Sequence, residues 1–504
     1  MSTPAMTMPG ADPAMTMPAA DPAVYARLRA TDPARWLGTA LAWRRWAVLA
    51  GALRCEFGPL VTRLRAMWSG AAADAAAARI GGFGRRMALF RLFCWRADQA
   101  LSEFAAALTR ARALLDRARG DAARSGLVID DRGAVHGRPD AAGPVAADLA
   151  AALSVAARAD EAAAIRLGGL TGDATPPPAG SGRPSCTAGP AEVRRWWDGL
   201  TAAERNWVLA TEPGSIASTD GIPASDRDLA NRLLLEQQRG DLDRQLGEGD
   251  RARLRGLRDG LDELGARLED DAGPRAYLMR LDVGGDGRAV VALGDPDRAR
   301  HVLTHVPGMT SDLGSFGGEL TRAERVAVRA AELGPAESTS AVLWLGYDAP
   351  DFVHEAFSDR QARDGALELR RFQEGLVATH DGPPADRTVL GHSYGSLVVG
   401  RAATGGPLET DRVVFVGSPG VGVDSAADLT VPAERVWSST SRTDVIRLAA
   451  VPPGPELWFG RDPSTPGFGG QTFGSQPDAG HLGYWDRGRP ALDAMATLTL
   501  GGTP

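Results

Sequence analysis

The chain contains no lysine, so all 56 of its basic residues are arginine. We interpret this bias as the coding preference of a high-GC bacterial genome. Positive charge is not in excess either, since 63 acidic residues leave a net charge of −7. No basic field is available to neutralise phosphates, and we therefore expect no nucleic-acid partner.

Cysteine and long apolar runs are also scarce. Cys55, Cys94 and Cys186 form no CxxC pair, which argues against a disulfide framework and a zinc site. A Cys55–Cys94 bridge is conceivable, but two reduced, packed thiols are the preferred interpretation. No signal peptide is visible, and the apolar run Trp46–Leu53 is too short to span a bilayer. We predict a cytoplasmic protein with no integral membrane segment, no metal and no cofactor.

With 504 residues, the chain exceeds what one hydrophobic core usually organises. A direct repeat, PAMTMPGAD followed by PAMTMPAAD, is broken by prolines and predicts a disordered tail. Apolar residues at helical spacing and a Pro/Gly-rich stretch predict helical segments joined by a linker. The predicted division is a tail over 1–24, a helical hairpin domain over 25–170, a linker over 171–191, a helical pre-domain over 192–270 and a catalytic domain over 271–504.

Within the hairpin we expect a break near Gly81–Gly84 and a second helix from Met87 to about Arg124. Trp68-Ser69-Gly70 lies just before this break. A W-x-G turn between two long helices resembles the WxG family of helical-hairpin proteins linked to type VII secretion. The Y-x-x-x-D/E export signal that this family often carries is missing. The resemblance implies a protein partner or self-association through the hairpin, with export by a type VII-like route as the alternative to a cytoplasmic location.

From Tyr277 onward the apolar residues form short runs typical of strands. A β-hairpin over 277–293 with a Gly/Asp turn is followed by strands that alternate with helices. This order predicts an α/β fold with a mostly parallel sheet, covered by helices on both faces and preceded by an all-α region. The later strands are predicted at 301–306, 341–345, 387–390, 413–416, 435–437 and 457–459, and the helices at 321–333, 359–378 and 396–403.

A G-x-S-x-G motif, Gly391–Gly395, lies between a predicted strand and a predicted helix. That context is typical of a nucleophile elbow, a tight and strained turn that lifts the serine hydroxyl to the carboxyl edge of the sheet. Only small residues fit at Gly391 and Gly395. We therefore predict that Ser393 is the nucleophile.

An acid and a histidine are expected after the nucleophile. His481 is the only histidine beyond the elbow and is the predicted general base. Asp444 follows the second strand after the nucleophile and is the predicted acid, which would hold the His481 tautomer. Asp424, after the first such strand, is the alternative. Asp348 could compete as the acid, but it precedes the nucleophile.

An oxyanion hole needs two backbone N–H donors. We predict one from Tyr394, directly after the nucleophile. The other is expected from Met309 or Thr310, because Gly308 lets that loop approach closely.

The substrate-contacting residues are predicted around this edge of the sheet. Tyr347 and Asp348 end the strand at 341–345 and either line the pocket or shape a turn. Together with Gly308 and His392, they form the predicted substrate-binding set.

Several motifs of the catalytic region occur together: VPGMTSDL at 306–313, WLGYDAP at 344–350, GHSYGS at 391–396, TDV at 443–445, FGRDPSTPGFG at 459–469 and HLGYW at 481–485. This combination resembles an actinobacterial α/β-hydrolase family catalogued as a domain of unknown function. GIP…RD…NR at 221–232 resembles the helical region that those proteins carry ahead of the catalytic domain.

The resemblance covers about 193–485 and implies an α/β-hydrolase fold with Ser393, Asp444 and His481 as the triad. Leu482 and Gly483 depart from it, because the residues beside the histidine are more often polar. Because of this departure, the resemblance predicts the triad but not the polarity of the pocket.

The residues predict acyl transfer through an acyl-enzyme, with hydrolysis of a small-molecule carboxylic ester, such as a lipid or other hydrophobic ester, as the main expectation. Thioester or amide cleavage and acyl transfer to an alcohol use the same residues. The alternative is a partner-binding or type VII secretion-associated protein whose hydrolase domain is secondary or an acyltransferase.

Overall fold

The computed structural model describes residues 15–17, 21–178, 180, 182–246, 251–270, 273–352, 355–356, 358–448 and 459–504. The chain divides into two compact units. The first comprises residues 1–38 and 101–165, and the second comprises residues 39–100 and 166–504. These boundaries differ from the predicted segments, because residues 39–100 fall in the same unit as residues 271–504, the predicted catalytic domain.

The first unit combines helices with a small antiparallel sheet. Its elements begin with strand β1 (Met15–Met17) and helix α1 (Pro22–Ala30). β1 pairs with β3 (Val135–Gly137), which also pairs with β2 (Val128–Ile129). The predicted disordered tail over 1–24 lies mostly outside the described residues. Where it is described, it is a paired strand and the start of a helix.

Two long helices, α2 (Pro33–Met67) and α3 (Ala71–Arg124), form the predicted hairpin. The predicted break at Gly81–Gly84 is wrong, because α3 runs through it without interruption. None of Gly81, Gly82 and Gly84 has a positive φ, so these glycines lower the stability of the helix without ending it. The break lies instead at Trp68–Gly70, where Gly70 has a φ of 101°.

Helix α4 (Pro139–Gly168) is the one helix of the described residues that is long and apolar enough to cross a membrane. Its buried face includes Val145, Leu149 and Leu153. These side chains pack with Tyr25 and Leu28 of α1 in the hydrophobic core of the first unit. The helix therefore contributes one apolar face to that core.

The second unit begins with helices packed by a buried ionic network. Helices α5 (Pro190–Gly199), α6 (Ala202–Thr211), α7 (Ala224–Gln245) and α8 (Arg251–Glu269) precede the sheet. Asp98 of α3 lies 3.0 Å from Arg44 of α2 and 3.0 Å from Arg275. Arg275 also contacts Asp228 of α7 at 3.0 Å. Buried charges need such partners. The network therefore holds the part of the α2–α3 hairpin that belongs to the second unit, residues 39–100, against the helices that precede the sheet.

The three cysteines form no disulfide. Cys94 is buried and packed as expected, whereas Cys55 is exposed, which corrects the prediction that both of these thiols are packed.

The region from Ala276 onward is built on an eight-stranded sheet with the order β11-β10-β9-β8-β6-β7-β5-β4. β4, β5 and β7 are antiparallel neighbours, and the remaining pairs are parallel. The strands are β4 (Ala276–Asp282), β5 (Arg288–Leu293), β6 (His301–Val306), β7 (Thr339–Leu345), β8 (Asp386–His392), β9 (Arg412–Val416), β10 (Val436–Ser439) and β11 (Gln471–Thr472).

Neighbouring residues of the central strands enter two separate cores. Val389 and Val413 pack with α10 (Arg360–Thr379) and α11 (Tyr394–Thr404). Leu390 and Val414 pack with α9 (Phe316–Leu333) and α12 (Pro490–Thr499). This alternation means that both faces of the sheet are covered, which confirms the predicted fold class. The predicted strand at 457–459 lies largely outside the described residues, and the edge strand β11 was not predicted.

Candidate active site

The Gly391–Gly395 segment forms a sharp turn between β8 and α11. Ser393 has φ 53° and ψ −129°, one of two positive φ values at non-glycine residues in the described part of the chain. Such a conformation costs about 1–3 kcal/mol and persists only where the surroundings impose it. The Ser393 N–H donates to the Val416 carbonyl at 3.0 Å, and the Ser396 hydroxyl donates to the Ser393 carbonyl at 2.6 Å.

The two flanking glycines are required by space. A Cβ on Gly391 would lie 2.6 Å from the Ser396 Cα. A Cβ on Gly395 would overlap the Val306 and Pro307 carbonyl oxygens at the end of β6. These overlaps agree with the prediction that only small residues fit on either side of Ser393.

Asp444 and His481 form a direct contact near the carboxyl end of β9. His481 Nδ1 lies 2.8 Å from Asp444 Oδ1, and the Ile446 N–H donates to the same oxygen at 2.9 Å. A Cβ on Gly417, the residue after β9, would lie 2.8 Å from Asp444 Oδ2 and 3.3 Å from His481 Nδ1. Gly417 has a φ of 55° and leaves room for this pair.

Tyr484 completes the surroundings of the Asp444 carboxylate. Its hydroxyl donates to Asp444 Oδ2 at 2.7 Å and accepts from the Ser441 N–H at 2.8 Å. Burial alone would raise the pKa of Asp444, but the hydrogen bonds from His481, Tyr484 and the Ile446 amide outweigh it and lower that pKa. Asp444 is therefore held as a carboxylate. Tyr484 lies within the HLGYW motif, but nothing local in the sequence links it to Asp444, so this contact was not predicted.

The other predicted acids lie elsewhere. Asp424 is exposed and accepts a hydrogen bond from the Arg461 N–H at 3.0 Å. Asp348 is exposed at a cleft of about 550 Å³ that is also lined by Arg280, Arg288 and Tyr347. Of the three carboxylates considered from the sequence, Asp444 is the one that the structure brings to His481.

The loop after β6 lies directly against Ser393. A Cβ on Gly308 would lie 2.6 Å from the Ser393 Cβ and 3.1 Å from its Oγ. The Thr310 N–H donates to the Pro350 carbonyl at 2.8 Å, and Thr310 has a φ of 63°. Of the two predicted donors in this loop, Thr310 therefore has its amide engaged. In the described residues, the Met309 amide forms no hydrogen bond.

Tyr347 supports this loop from behind. It is buried, and its hydroxyl donates to the Pro307 carbonyl at 2.7 Å. Burial raises the pKa of Tyr347 well above its ordinary value, so the phenol stays protonated as a donor. Its hydroxyl thus supports the loop, while the residue also lines the cleft at Asp348, so a contact of Tyr347 with substrate stays a prediction.

His392 is also buried and faces the His481 loop. Its Nε2 lies 3.0 Å from the His481 carbonyl oxygen, and its ring packs edge-on against Trp485 at 4.9 Å. Burial lowers the pKa of His392 to about 3, against a partial opposing effect of Glu319. A neutral imidazole with Nε2–H can donate to the His481 carbonyl. This placement differs from the predicted substrate contact, because the ring is enclosed.

The serine and the histidine are close neighbours in the fold but are not bonded. The rings of His392, directly before Ser393, and His481 have centroids 4.7 Å apart. Within the described residues, no hydrogen bond joins the Ser393 hydroxyl to His481. Catalytic hydrogen bonds are often long in ligand-free enzymes and tighten when substrate binds. The described residues also hold no cluster of three or more His, Cys, Asp or Glu side chains suited to a metal ion.

Residues 282–453 match a family model described as an alpha/beta hydrolase. The uncharacterized protein Mb0988c of Mycobacterium bovis is 36% identical over 190 residues, which are 36% of this chain and 68% of that protein. This chain belongs to the α/β-hydrolase family. The matched model includes Ser393 and Asp444 and ends before His481.

A longer match extends over more than half of the chain. The uncharacterized protein Rv2079 of Mycobacterium tuberculosis is 32% identical over 378 residues, or 64% of this chain. This chain spans 56% of the length of that relative. These mycobacterial relatives support the predicted actinobacterial hydrolase family. No solved structure is significantly similar to the chain.

The buried His392 predicts a steep loss of stability in acid. The unfolded chain binds a proton at this imidazole below about pH 6.5, whereas the folded chain does so only near pH 3. The free energy of unfolding should therefore fall by about 1.4 kcal/mol per pH unit through this interval on account of His392 alone. Urea unfolding at a series of pH values should show a shallower fall for His392→Gln than for the wild type. Equal slopes for the two proteins would show that His392 is not buried as a neutral ring.

Proposed function

We propose that the hydrolase acts as a serine esterase, with Ser393 as nucleophile, His481 as general base and Asp444 as the acid that orients it. The contact of 2.8 Å between His481 Nδ1 and Asp444 Oδ1 carries the proposal. Because Nδ1 of His481 faces the carboxylate, the other ring nitrogen, Nε2, lies away from Asp444 and is available to a serine. The strained turn that presents Ser393 at the same edge of the sheet supports this assignment.

The reaction begins when Ser393 Oγ attacks the ester carbonyl carbon and its proton passes to His481 Nε2. Asp444 stabilises the imidazolium that forms. The oxyanion of the tetrahedral intermediate accepts hydrogen bonds from the Tyr394 and Met309 amides. Met309 is preferred to Thr310 because the Thr310 amide is already bonded to Pro350.

The intermediate collapses by breaking the bond to the alcohol, which leaves with the proton from His481. Water then attacks the acyl-enzyme while His481 takes its proton, and release of the acid returns the proton to Ser393. Carboxylic esters are the proposed substrates, because an alcohol leaves more readily than an amine. The Tyr484 and His392 side chains hold Asp444 and the His481 loop in place and are positioning residues.

The second candidate is a partner-binding role for the helical hairpin. Its support is the placement of Trp68-Ser69-Gly70 in the turn between two long helices, as the WxG resemblance implies. In that case the hydrolase site would be secondary.

Asp424 and Asp444 follow neighbouring strands, so the same substitution at each position gives a matched test of which one acts as the acid. Asp444→Asn should lower kcat for a short-chain p-nitrophenyl ester by about 10⁴-fold, because an amide favours the wrong His481 tautomer. Asp424→Asn is the control and should keep wild-type kcat, since the Asp424 carboxylate bonds to the Arg461 amide. The assignment fails if the two variants lose activity equally or if Asp424→Asn is the weaker enzyme.

Removing the Tyr484 hydroxyl should slow the reaction without abolishing it. Tyr484→Phe deletes one hydrogen bond to the charged Asp444, and such bonds contribute about 1.5–3 kcal/mol, so kcat should fall roughly 10-fold or more. KM should be unchanged, because Tyr484 does not contact the substrate. Tyr25→Phe, in the core of the first unit, is the control. A change in KM alone would contradict the positioning role.

A further inference from the structure

An exposed apolar surface lies on the α2–α3 hairpin, over residues 45–90, here called the hairpin arm. The described residues contain 18 exposed large hydrophobic side chains, and nine of them lie within these 46 residues. They are Trp46, Val48, Leu49, Leu53, Leu60, Met67, Trp68, Phe83 and Phe90. Such a concentration on a folded chain marks an interaction surface.

Most of these side chains share one face of α2. Trp46, Leu49, Leu53, Leu60 and Met67 are spaced by three, four, seven and seven residues, which aligns them along one stripe of a helix. Leu53 is 59% exposed and Met67 is 87% exposed. The stripe is therefore not used by the core of the second unit.

A different face of α2 supplies the packing. Ala47, Ala50 and Gly51 are buried, and Ala47 packs with Leu92 and Trp95 of α3. The arm is thus held by one face while its apolar stripe stays free.

The stripe continues onto α3. Phe57 of α2 packs edge-on against Phe83 of α3, with ring centroids 5.9 Å apart. The Arg86 guanidinium lies over the Phe83 ring at 4.6 Å. Apolar rings and arginine side chains therefore lie together on the arm.

The charge of the arm is opposite to that of the whole chain. Residues 45–90 carry seven arginines against one glutamate and one aspartate, a net charge of +5, whereas the whole chain carries −7. A second copy of the arm would bring two positive surfaces together. An anionic lipid surface meets both features at once, because its phosphates attract arginine and its acyl boundary accepts Trp, Leu and Phe side chains.

We propose that the hairpin arm docks the protein on an anionic lipid surface. The apolar stripe enters the boundary between headgroups and acyl chains, and the arginines extend to the phosphates. This surface does not involve Ser393, Asp444 or His481, so the proposal stands independently of the proposed esterase activity.

Vesicle flotation of the full chain tests the proposal. The protein should float with vesicles of phosphatidylcholine and phosphatidylglycerol, and it should bind vesicles of phosphatidylcholine alone at least tenfold more weakly. A double variant, Trp46→Ser with Leu53→Ser, should bind the anionic vesicles at least tenfold more weakly, because two large apolar side chains no longer enter the acyl boundary. Ile165→Ser, at a side chain that is 68% exposed outside the arm, is the control and should bind as the wild type does.

The control and the double variant should share the melting temperature of the wild type, which shows that they are folded. Equal binding to both kinds of vesicle, no binding to either, or unchanged binding by the double variant would overturn the proposal. Light scattering gives the mass of the full chain in solution. If the wild type is a dimer, the double variant is a monomer and neither protein binds vesicles, the proposal is wrong and the stripe is an interface between copies or with a protein partner.

Discussion

The candidate site depends on the strained backbone at Ser393. A non-glycine residue at φ 53° is stable only if its surroundings oppose relaxation, and the structure shows how they do so. The Ser393 amide is bonded to the end of β9, and Gly395 lies so close to the end of β6 that no side chain fits. The turn therefore joins three neighbouring strands, and the close approach of Gly308 follows from the same packing.

A second group of side chains organises the loop that carries His481. Asp444 is hydrogen-bonded to His481, Tyr484 and the Ile446 amide, so the Asp444–His481 pair is held by residues from two loops. His392 binds the His481 carbonyl from the elbow itself and packs against Trp485. Three residues of the HLGYW motif therefore contribute to the site: His481 itself, Tyr484, which donates to Asp444, and Trp485, which packs against His392.

Short β-branched runs and the strand–turn–helix context of Ser393 made the sheet and the elbow predictable from the sequence. Contacts between residues far apart in the sequence were not predictable in the same way. Asp424 and Asp444 both follow suitable strands, and only the folded chain shows that Asp444 is the one that contacts His481. His392 was predicted to line the pocket because it precedes Ser393, the predicted nucleophile, yet its ring is buried inside the protein. In the hairpin, Gly81–Gly84 suggested a break, but glycines inside an alanine-rich helix reduce its stability without ending it.

The central claim is that Ser393 is the nucleophile, and mapping a covalent adduct tests it most directly. A fluorophosphonate probe reacts with an activated serine, and digestion followed by mass spectrometry locates the adduct. One adduct is expected, on the peptide that contains Ser393, and none is expected on the Ser393→Ala protein. An adduct on another serine, or equal labelling of the two proteins, would contradict it.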